Sequence, residues 1–363
     1  MDSSFPPLLP LGFWQDRVAF EVRDRSRTFM DVVRSAAIRG DLAPLLARSE
    51  RIRQCEFHAS REGLDPDMDA VDSSLEEFRY ARDLVTIEET ERWLEERGLS
   101  VDDLTGHFLR RHWFNLLRGT APSETMESTG DEPPTWPTDL MCFGDFTRFA
   151  RQLAAESASA ADHPVPGPTE AAVMIEGFQA RHALTGPAYA AWLAASEMDE
   201  AQLVEFLHGQ EREAMDRRQR LSDEARGRAL TELRSQLVQA ELEWVEFDRE
   251  CAAREAYLCA TTDRIELAQV AQDSGYALRR RTSFLRDLPE SWQWAILSVP
   301  PGRILAPLAG AETVSVVRLI GRREPTLTDP AIAAEIDQVL LQRHFGEREL
   351  REIRWQLSGG NAP

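Results

Sequence analysis

The sequence predicts a mainly α-helical protein that ends in a small α+β module. Up to about residue 240 the apolar residues follow helical spacing, and one helical segment occurs twice. From residue 242 the pattern changes to alternation, as in LEWVEF, which is typical of a strand. With 363 residues, the chain is long enough for two or three domains with cores of their own.

The first 60 residues predict an extended arm followed by two helices. Residues 1–14 are apolar and rich in proline, which favours an arm that packs on the body or meets a partner. Helices are predicted over residues 15–38 and 41–60, divided at the turn Arg39-Gly40-Asp41. The opening MDSSFPPLLPLGFW has no basic start and no long apolar run, so no signal peptide is expected.

An aspartate run follows, and it allows two interpretations. Asp65, Asp67, Asp69 and Glu76 have the spacing of a calcium loop, but the sixth position is Ala70 where such a loop needs glycine. The alternative is a helix start, where capping side chains and negative charge stabilise the positive end of the next helix. The mismatch favours the helix start.

The helical part contains a duplication. Residues 76–108 and 176–207 keep their apolar positions in step after a one-residue gap, and no third copy follows, so this is a duplication and not a solenoid. Each copy predicts three helical pieces. The matching anchors are Phe78 and Phe178, Leu84 and Leu184, Trp93-Leu94 and Trp192-Leu193, Leu99 and Met198, and Leu104 and Leu203.

Capping signals delimit the three pieces. Thr86 and Glu89 form a capping box at the start of the second piece, and Gly98 ends it. The second copy has Gly186-Pro187 at the matching start, where proline is tolerated. The third piece is capped by Ser100 in the first copy and by Asp199 in the second.

Trp93 and Trp192 occupy the same place in the two copies, late on the second helical piece. Aromatic residues at helical spacing usually pack in a core. The alternative is that the two indoles line a groove that binds a peptide. Both interpretations stay open from the sequence, and both residues are candidate peptide contacts.

Between the copies and after them, composition predicts linkers and helices. Residues 119–138 and 157–169 have the composition of linkers, and residues 139–156 predict a helix between them. Residues 205–241 predict a long charged helix with a break near Ser222.

The C-terminal part predicts a small module in which strands and helices alternate, of about 120 residues, a size typical of one domain. Strands are predicted over residues 242–247, 276–285, 304–308, 313–320 and 350–357, and helices over residues 248–261, 265–271, 288–297 and 329–345.

Charge composition excludes several functions. The net charge of −20 gives a surface that repels nucleic acid and anionic membranes. All 42 basic residues are arginines, so lysine-dependent chemistry, from phosphate loops to Schiff bases, is excluded. No segment has the run of ~20 apolar residues that a membrane span needs.

The cysteines and histidines predict no metal site, whereas a Ser-His-Asp or Cys-His arrangement assembled only by the fold stays open. The four cysteines, Cys55, Cys142, Cys251 and Cys259, have no paired spacing and are expected to be reduced thiols. None of the seven histidines has a partner at metal-ligand spacing, and no GxSxG nucleophile motif occurs. We therefore predict no cofactor, no metal and no catalytic residue.

The order of elements in residues 284–327 resembles the parvulin family of peptidyl-prolyl isomerases. An aromatic short helix (SWQWAIL) is followed by a glycine-centred turn at Pro301-Gly302-Arg303 and by the strand VSVVRLI. The duplicated helices resemble the chaperone region of SurA-like proteins, and residues 322–330 also look like that group. The resemblance implies a duplicated SurA-like helical body with a degenerate parvulin-like domain.

Departures from the family pattern point away from catalysis. Parvulins carry histidines on the first and last strands, whereas LEWVEF and VSVVRLI carry none. Residues 276–285 contain three arginines where the family has a glycine-rich stretch. The resemblance leaves counterparts of the apolar proline pocket in Leu288 and Trp292, and Leu297 on the same helix is taken with them as a peptide contact.

The resemblance implies a cytoplasmic, chaperone-like accessory protein that binds a precursor peptide for modifying enzymes in a ribosomal peptide natural-product (RiPP) pathway. The expected partners are this or another unfolded polypeptide and a peptide-modifying enzyme, without nucleic acid or membrane. Two alternatives remain: an active prolyl isomerase, and a scaffold that binds an enzyme but no peptide. The predicted segments are residues 1–125 and 126–240 (the two helical repeats), 241–328 (the parvulin-like domain) and 329–363 (a returning helix and tail).

Overall fold

The computed structural model describes residues 14–119, 134–310 and 313–357. Contacts group the chain into two units, residues 1–216 with 345–363 (unit 1) and residues 217–344 (unit 2). Most of the predicted N-terminal arm and of the 119–138 linker lies outside the described residues. The predicted division into four segments stays a prediction.

Unit 1 contains a small antiparallel sheet that the sequence did not predict in full. Its strands are β1 (Val18–Val22), β2 (Arg25–Thr28) and β7 (Ile353–Trp355), in the order β2-β1-β7. The predicted helix over residues 15–38 is therefore wrong in its first half. The helix begins only at Phe29, because Thr28 and Asp31 form a capping box there. The predicted C-terminal strand within residues 350–357 is confirmed.

Helices make up the rest of unit 1. They are α1 (Phe29–Arg39), α2 (Leu42–Arg61), α3 (Met68–Tyr80), α4 (Ile87–Glu96), α5 (Val101–Leu117), α6 (Trp136–Cys142), α7 (Asp145–Ala161), α8 (Pro168–His182), α9 (Pro187–Ala195) and α10 (Glu200–Arg220). The single helix predicted over residues 139–156 is two helices, because Gly144 between them has a left-handed φ of 79°. Asp67 caps α3 through its side chain, which confirms the helix-start interpretation of the aspartate run.

The duplication predicted from the sequence is present as α3-α4-α5 and α8-α9-α10. The capping box of Thr86 and Glu89 forms as predicted, and Ser100 and Asp199 both cap the helices that follow them. The anchors are buried apart from Trp93 and Leu193, which are half-buried. The pairs Asp83 and Ala183, and Gly98 and Glu197, have left-handed φ values at matching positions.

Unit 2 is built around a four-stranded antiparallel sheet. Its strands are β3 (Gln239–Phe247), β4 (Leu278–Phe284), β5 (Leu308–Ala309) and β6 (Val314–Arg323), in the order β4-β3-β6-β5. The helices are α11 (Asp223–Leu233), α12 (Glu250–Thr261), α13 (Leu267–Ser274), α14 (Glu290–Ser298) and α15 (Pro330–Glu352), which continues into unit 1. The predicted break near Ser222 is confirmed, because that residue caps α11.

Three predicted elements of unit 2 differ from the structure. The helix predicted to reach residue 241 ends at Leu233, and β3 already begins at Gln239. Residues 304–308 do not form a full strand: Ile304 makes one isolated bridge to Arg318, and β5 covers only Leu308–Ala309. Pro307 lies between the two contacts and has no N–H to donate to a ladder. The final helix extends beyond the predicted residue 345, to Glu352. The fold class, mainly α with a small C-terminal α+β module, is confirmed.

Candidate functional site

The central strand β3 separates two apolar cores of unit 2 that lie on opposite sides of the sheet. Its alternation puts Leu242 and Trp244 on the side covered by α14, and puts Val245 and Phe247 on the side covered by α12 and α13. Strand β6 pairs with β3 and extends the same two faces of the sheet, since its Val317 lies opposite Trp244 in the register. The first and last strands of the module therefore meet beneath α14.

An aromatic pair lies at the centre of this face. The rings of Trp244 and Trp292 meet edge to face, with centroids 6.0 Å apart. Trp292, from α14, is 9% exposed, whereas Trp244 is half-buried and remains partly accessible. Leu288 and Leu308, both half-buried, pack on the same core. We call Trp244, Leu288, Trp292 and Leu308 the Trp244 face.

Charged side chains border the Trp244 face on the side of β4. The indole N–H of Trp244 donates to Oε1 of Glu246 at 3.0 Å. Arg279 lies opposite Trp244 in the register and pairs with Glu246 at 2.9 Å. Arg281 lies opposite Leu242, and it is exposed. The border thus joins an aromatic surface to guanidinium groups.

The four side chains of the Trp244 face are aromatic or aliphatic, so none of them is an acid, a base or a nucleophile. Neither β3 nor β6 contains a histidine. The buried carboxylate of Glu243 points to the opposite side of β3, where it pairs with Arg318 at 2.6 Å. Burial opposes the charge of Arg318, but hydrogen bonds to Glu266 and Glu243 outweigh it and raise the pKa of the guanidinium. This ion pair is structural, because it holds β3, β6 and α13 together on the side away from α14.

A second polar cluster, in unit 1, is buried and also unsuited to catalysis. Nδ1 of His107 lies 2.8 Å from Asp139, and Arg110 lies 3.7 Å from the same carboxylate. Burial, and then the charge of Asp139, raises the pKa of the Cys142 thiol to about 12. A thiol with that pKa is protonated at neutral pH and is a poor nucleophile. The cluster therefore joins α5 to α6 and is not a Cys–His catalytic pair.

The five residues predicted as peptide contacts fall in both units. In unit 2, Leu288 and Trp292 belong to the Trp244 face, whereas Leu297 lies on the outer side of α14 and is 41% exposed. In unit 1, the half-buried Trp93 packs on Phe78, with ring centroids 5.3 Å apart. Trp192 is buried and packs on Phe178 at 4.9 Å.

Both tryptophans of the repeat therefore contribute to the core of unit 1, in agreement with the first of the two sequence interpretations. A role of these five side chains in binding peptide stays a prediction.

Three residues of the candidate site were missed from the sequence. Trp244 could have been assigned to the α14 side from the alternation of LEWVEF. Trp294 is 71% exposed, and helical spacing puts it on the opposite face of α14 from Trp292 and on the same face as Leu297. Arg281 gave no local signal, because its accessibility depends on β4 being an edge strand.

Solved structures that match this chain are PrsA and SurA-like chaperones. The peptidylprolyl isomerase PrsA from Bacillus anthracis is 8% identical, and the match covers 54% of this chain and 94% of that one, with a TM-score of 0.28. The foldase PrsA from Streptococcus pneumoniae is 13% identical over 62% and 88% of the two chains, with a TM-score of 0.26. A SurA-like chaperone from Campylobacter jejuni is 12% identical over 59% and 88%, with a TM-score of 0.20.

The resemblance to SurA-like and parvulin-related chaperones therefore recurs among solved structures. No protein-family model and no curated protein matches the sequence. Among the described residues, no helix is both long enough and apolar enough to cross a membrane.

Proposed function

We propose that this protein binds extended polypeptide in the manner of a chaperone and does not isomerise prolyl bonds. The observation that carries the proposal is the Trp244 face. It keeps an aromatic, apolar surface between the first and last strands of a parvulin-like module, and neither strand has a histidine. A surface of this kind offers contact area without reacting groups.

Exposed apolar groups on α14 support binding. Trp294 is 71% exposed and Leu297 is 41% exposed on the outer side of the helix. A large indole held on a folded helix loses little conformational entropy on contact, and tryptophan is enriched among residues that dominate binding energy. Exposed apolar groups that lie together mark interaction sites more often than isolated ones do.

The packing of Trp292 argues against catalysis. A prolyl isomerase needs a shaped apolar pocket that favours the twisted amide, and Trp292 is the counterpart of that pocket. Its indole is only 9% exposed and packs on Trp244. The ring therefore belongs to the core of the module, where a prolyl side chain would have to displace it.

The finer form of the proposal is that the bound polypeptide is a precursor peptide and that the protein presents it to modifying enzymes of a RiPP pathway in the cytoplasm. The support for it is the sequence resemblance together with the missing histidines. A chain without reacting groups can contribute to such a pathway by holding a substrate that another enzyme modifies.

Anisotropy measurements with a labelled, permanently unfolded polypeptide, such as reduced and carboxymethylated α-lactalbumin, test the binding. We expect micromolar affinity for the wild-type chain and weaker binding for Trp294→Ala. A proline-peptide isomerisation assay run beside it should show no acceleration above the uncatalysed rate.

Two other results would redirect the proposal. Acceleration that disappears in Trp244→Ala would favour the isomerase alternative. An absence of polypeptide binding at high micromolar concentration, together with co-purification of an enzyme without peptide, would favour the scaffold alternative.

A further inference from the structure

The outer edge of strand β4 is free to accept another strand. Within the described part of unit 2, β4 pairs only with β3, so it forms one margin of the sheet. Residues 278–282 are all exposed. A strand of seven residues with an uncovered margin is a template for an extended chain.

The ladder indicates which backbone groups face outward. The N–H of Leu285 donates to the carbonyl of Val238 at 2.8 Å, which makes these two residues a hydrogen-bonded pair. Hydrogen-bonded and non-hydrogen-bonded pairs alternate along an antiparallel ladder. Every second residue of β4 counted back from Leu285 belongs to a hydrogen-bonded pair, so the backbone groups of Arg281 and Arg279 bond to β3. Leu278, Arg280 and Thr282 then direct their N–H and C=O groups away from the sheet.

Three consecutive arginines lie along this free edge. Arg279 pairs with Glu246 at 2.9 Å, and Arg280 pairs with Glu241 at 2.5 Å. The side chain of Arg281 makes no hydrogen bond or ion pair with any residue in the described part of the chain, and it is exposed. Arg279 and Arg281 lie on the side of the Trp244 face, since the register puts them opposite Trp244 and Leu242.

Charge on an edge strand also discourages unwanted pairing between sheets. Discouraging such pairing requires charge of either sign, and a chain with a net charge of −20 has many carboxylates that could provide it. Cations grouped on one edge of an acidic protein attract an acidic strand and disfavour a basic one, so they select a partner as well as excluding others.

We propose that the β4 edge binds an extended acidic peptide segment by strand addition. The backbone of the peptide pairs with the outward groups of Leu278, Arg280 and Thr282. Its carboxylates, at alternate positions, face Arg279 and Arg281. This inference rests on the proposed function. It adds that the bound polypeptide contacts the β4 edge and does so through an extended, acidic segment.

Two variants separate the backbone contribution from the charge contribution. Thr282→Pro removes an N–H that points to solvent, so the β3–β4 ladder keeps its hydrogen bonds while strand addition is blocked. Arg281→Glu reverses the sign of the arginine that has no partner. The control is Arg228→Glu on α11, an exposed arginine of unit 2 whose side chain is 74% accessible.

The probe is a fluorescein-labelled peptide of sequence Thr-Asp-Val-Asp-Val-Asp-Thr, and its partner has Asn in place of each Asp. Both are titrated with the full chain by anisotropy at low and at high salt. We expect the acidic probe to bind and the Asn probe to bind at least about five-fold more weakly, since exposed ion pairs each contribute up to ~1 kcal/mol. Binding of the acidic probe should weaken with salt.

For the variants, we expect Thr282→Pro and Arg281→Glu each to weaken binding of the acidic probe about five-fold or more, with Arg228→Glu unchanged. Equal binding of the two probes, or unchanged binding by Thr282→Pro, overturns strand addition at this edge. If the unfolded polypeptide still binds while neither variant matters, this inference fails and the proposed function stands. If the unfolded polypeptide does not bind wild type at all, the proposed function fails first.

Discussion

The two tryptophans of α14 offer a test that separates folding from binding. Trp292 and Trp294 are two residues apart on one helix, yet the first is 9% exposed and the second 71% exposed. Replacing each with alanine removes the same atoms from opposite sides of α14. If the structure assigns their roles correctly, Trp292→Ala acts on stability and Trp294→Ala acts on binding.

The expected magnitudes follow from burial. Trp292 packs on Trp244, Leu285 and Ile296 in the α14 core, and removing a buried tryptophan typically costs about 3–5 kcal/mol. Trp294 lies in solvent, where a substitution changes the free energy of unfolding by about 0.5 kcal/mol or less. If the exposed indole contacts polypeptide, its removal should cost about 1–2 kcal/mol of binding, which is a five- to thirty-fold rise in Kd.

Hydrogen exchange of the full chain, followed by mass spectrometry, measures the stability of the sheet directly. Amides of β3 and β6 should exchange much faster in Trp292→Ala and at the wild-type rate in Trp294→Ala. Anisotropy with the unfolded polypeptide measures binding by the same preparations. Leu258→Ala is the matched control, since Leu258 is 56% exposed on α12 of the same unit.

Two outcomes would refute the reasoning. Equal acceleration of exchange in the two variants would mean that Trp294 is part of the core. Wild-type affinity in Trp294→Ala, or an equal loss in Leu258→Ala, would mean that the outer side of α14 does not contact polypeptide.

Three further predictions concern unit 1. Burial, partly offset by a carboxylate hydrogen bond, lowers the pKa of His107 below its ordinary 6.5. As pH falls below about 6.5, the unfolded chain therefore takes up a proton at His107 that the folded chain does not, and the free energy of unfolding decreases. The urea midpoints at pH 5.5 and pH 7.5 should therefore differ less in His107→Gln than in the wild type. Gly209→Ala should cost about 1–3 kcal/mol, because the new Cβ would lie 3.2 Å from the backbone oxygen of Glu156. The control Gly177→Ala meets nothing within 4 Å and should stabilise by about 0.5–1 kcal/mol in the same urea titration. Thr86→Ala should cost about 1 kcal/mol by thermal unfolding, through loss of the α4 cap.

What the sequence predicted well depends on local signals. The duplication was found because anchors such as Phe78 and Phe178 recur with helical spacing, and the cap at Thr86 was found because a hydroxyl and a carboxylate stand three residues apart. These features involve interactions within one or two turns of chain. The alternation of β3 was found in the same way, and it defined the start of the C-terminal module.

What the sequence did not predict depends on distant partners. Strand β1 was taken as helix because its pairing with β7 joins Phe20 to Trp355, far apart in the chain. The exposure of Arg281 depends on the order β4-β3-β6-β5, which local patterns do not specify. Trp93 and Trp192 were chosen because they recur in the duplication, and the three residues of α14 because of the family resemblance. Neither criterion reports exposure, so the buried Trp192 was included and the exposed Trp294 was not.

The indole contact beneath α14 bears on both parts of the proposed function. An indole at Trp244 supplies the edge-to-face partner of Trp292, and this contact ties α14 to the central strand. With Trp292 held in the core, the outer side of α14 and the free edge of β4 stay accessible, and Trp294 and Arg281 are exposed there. On the proposed function, both surfaces can contact an extended chain. On the proposed function, a polypeptide bound there keeps the prolyl isomers it arrived with, as expected if this protein holds a substrate that another enzyme modifies.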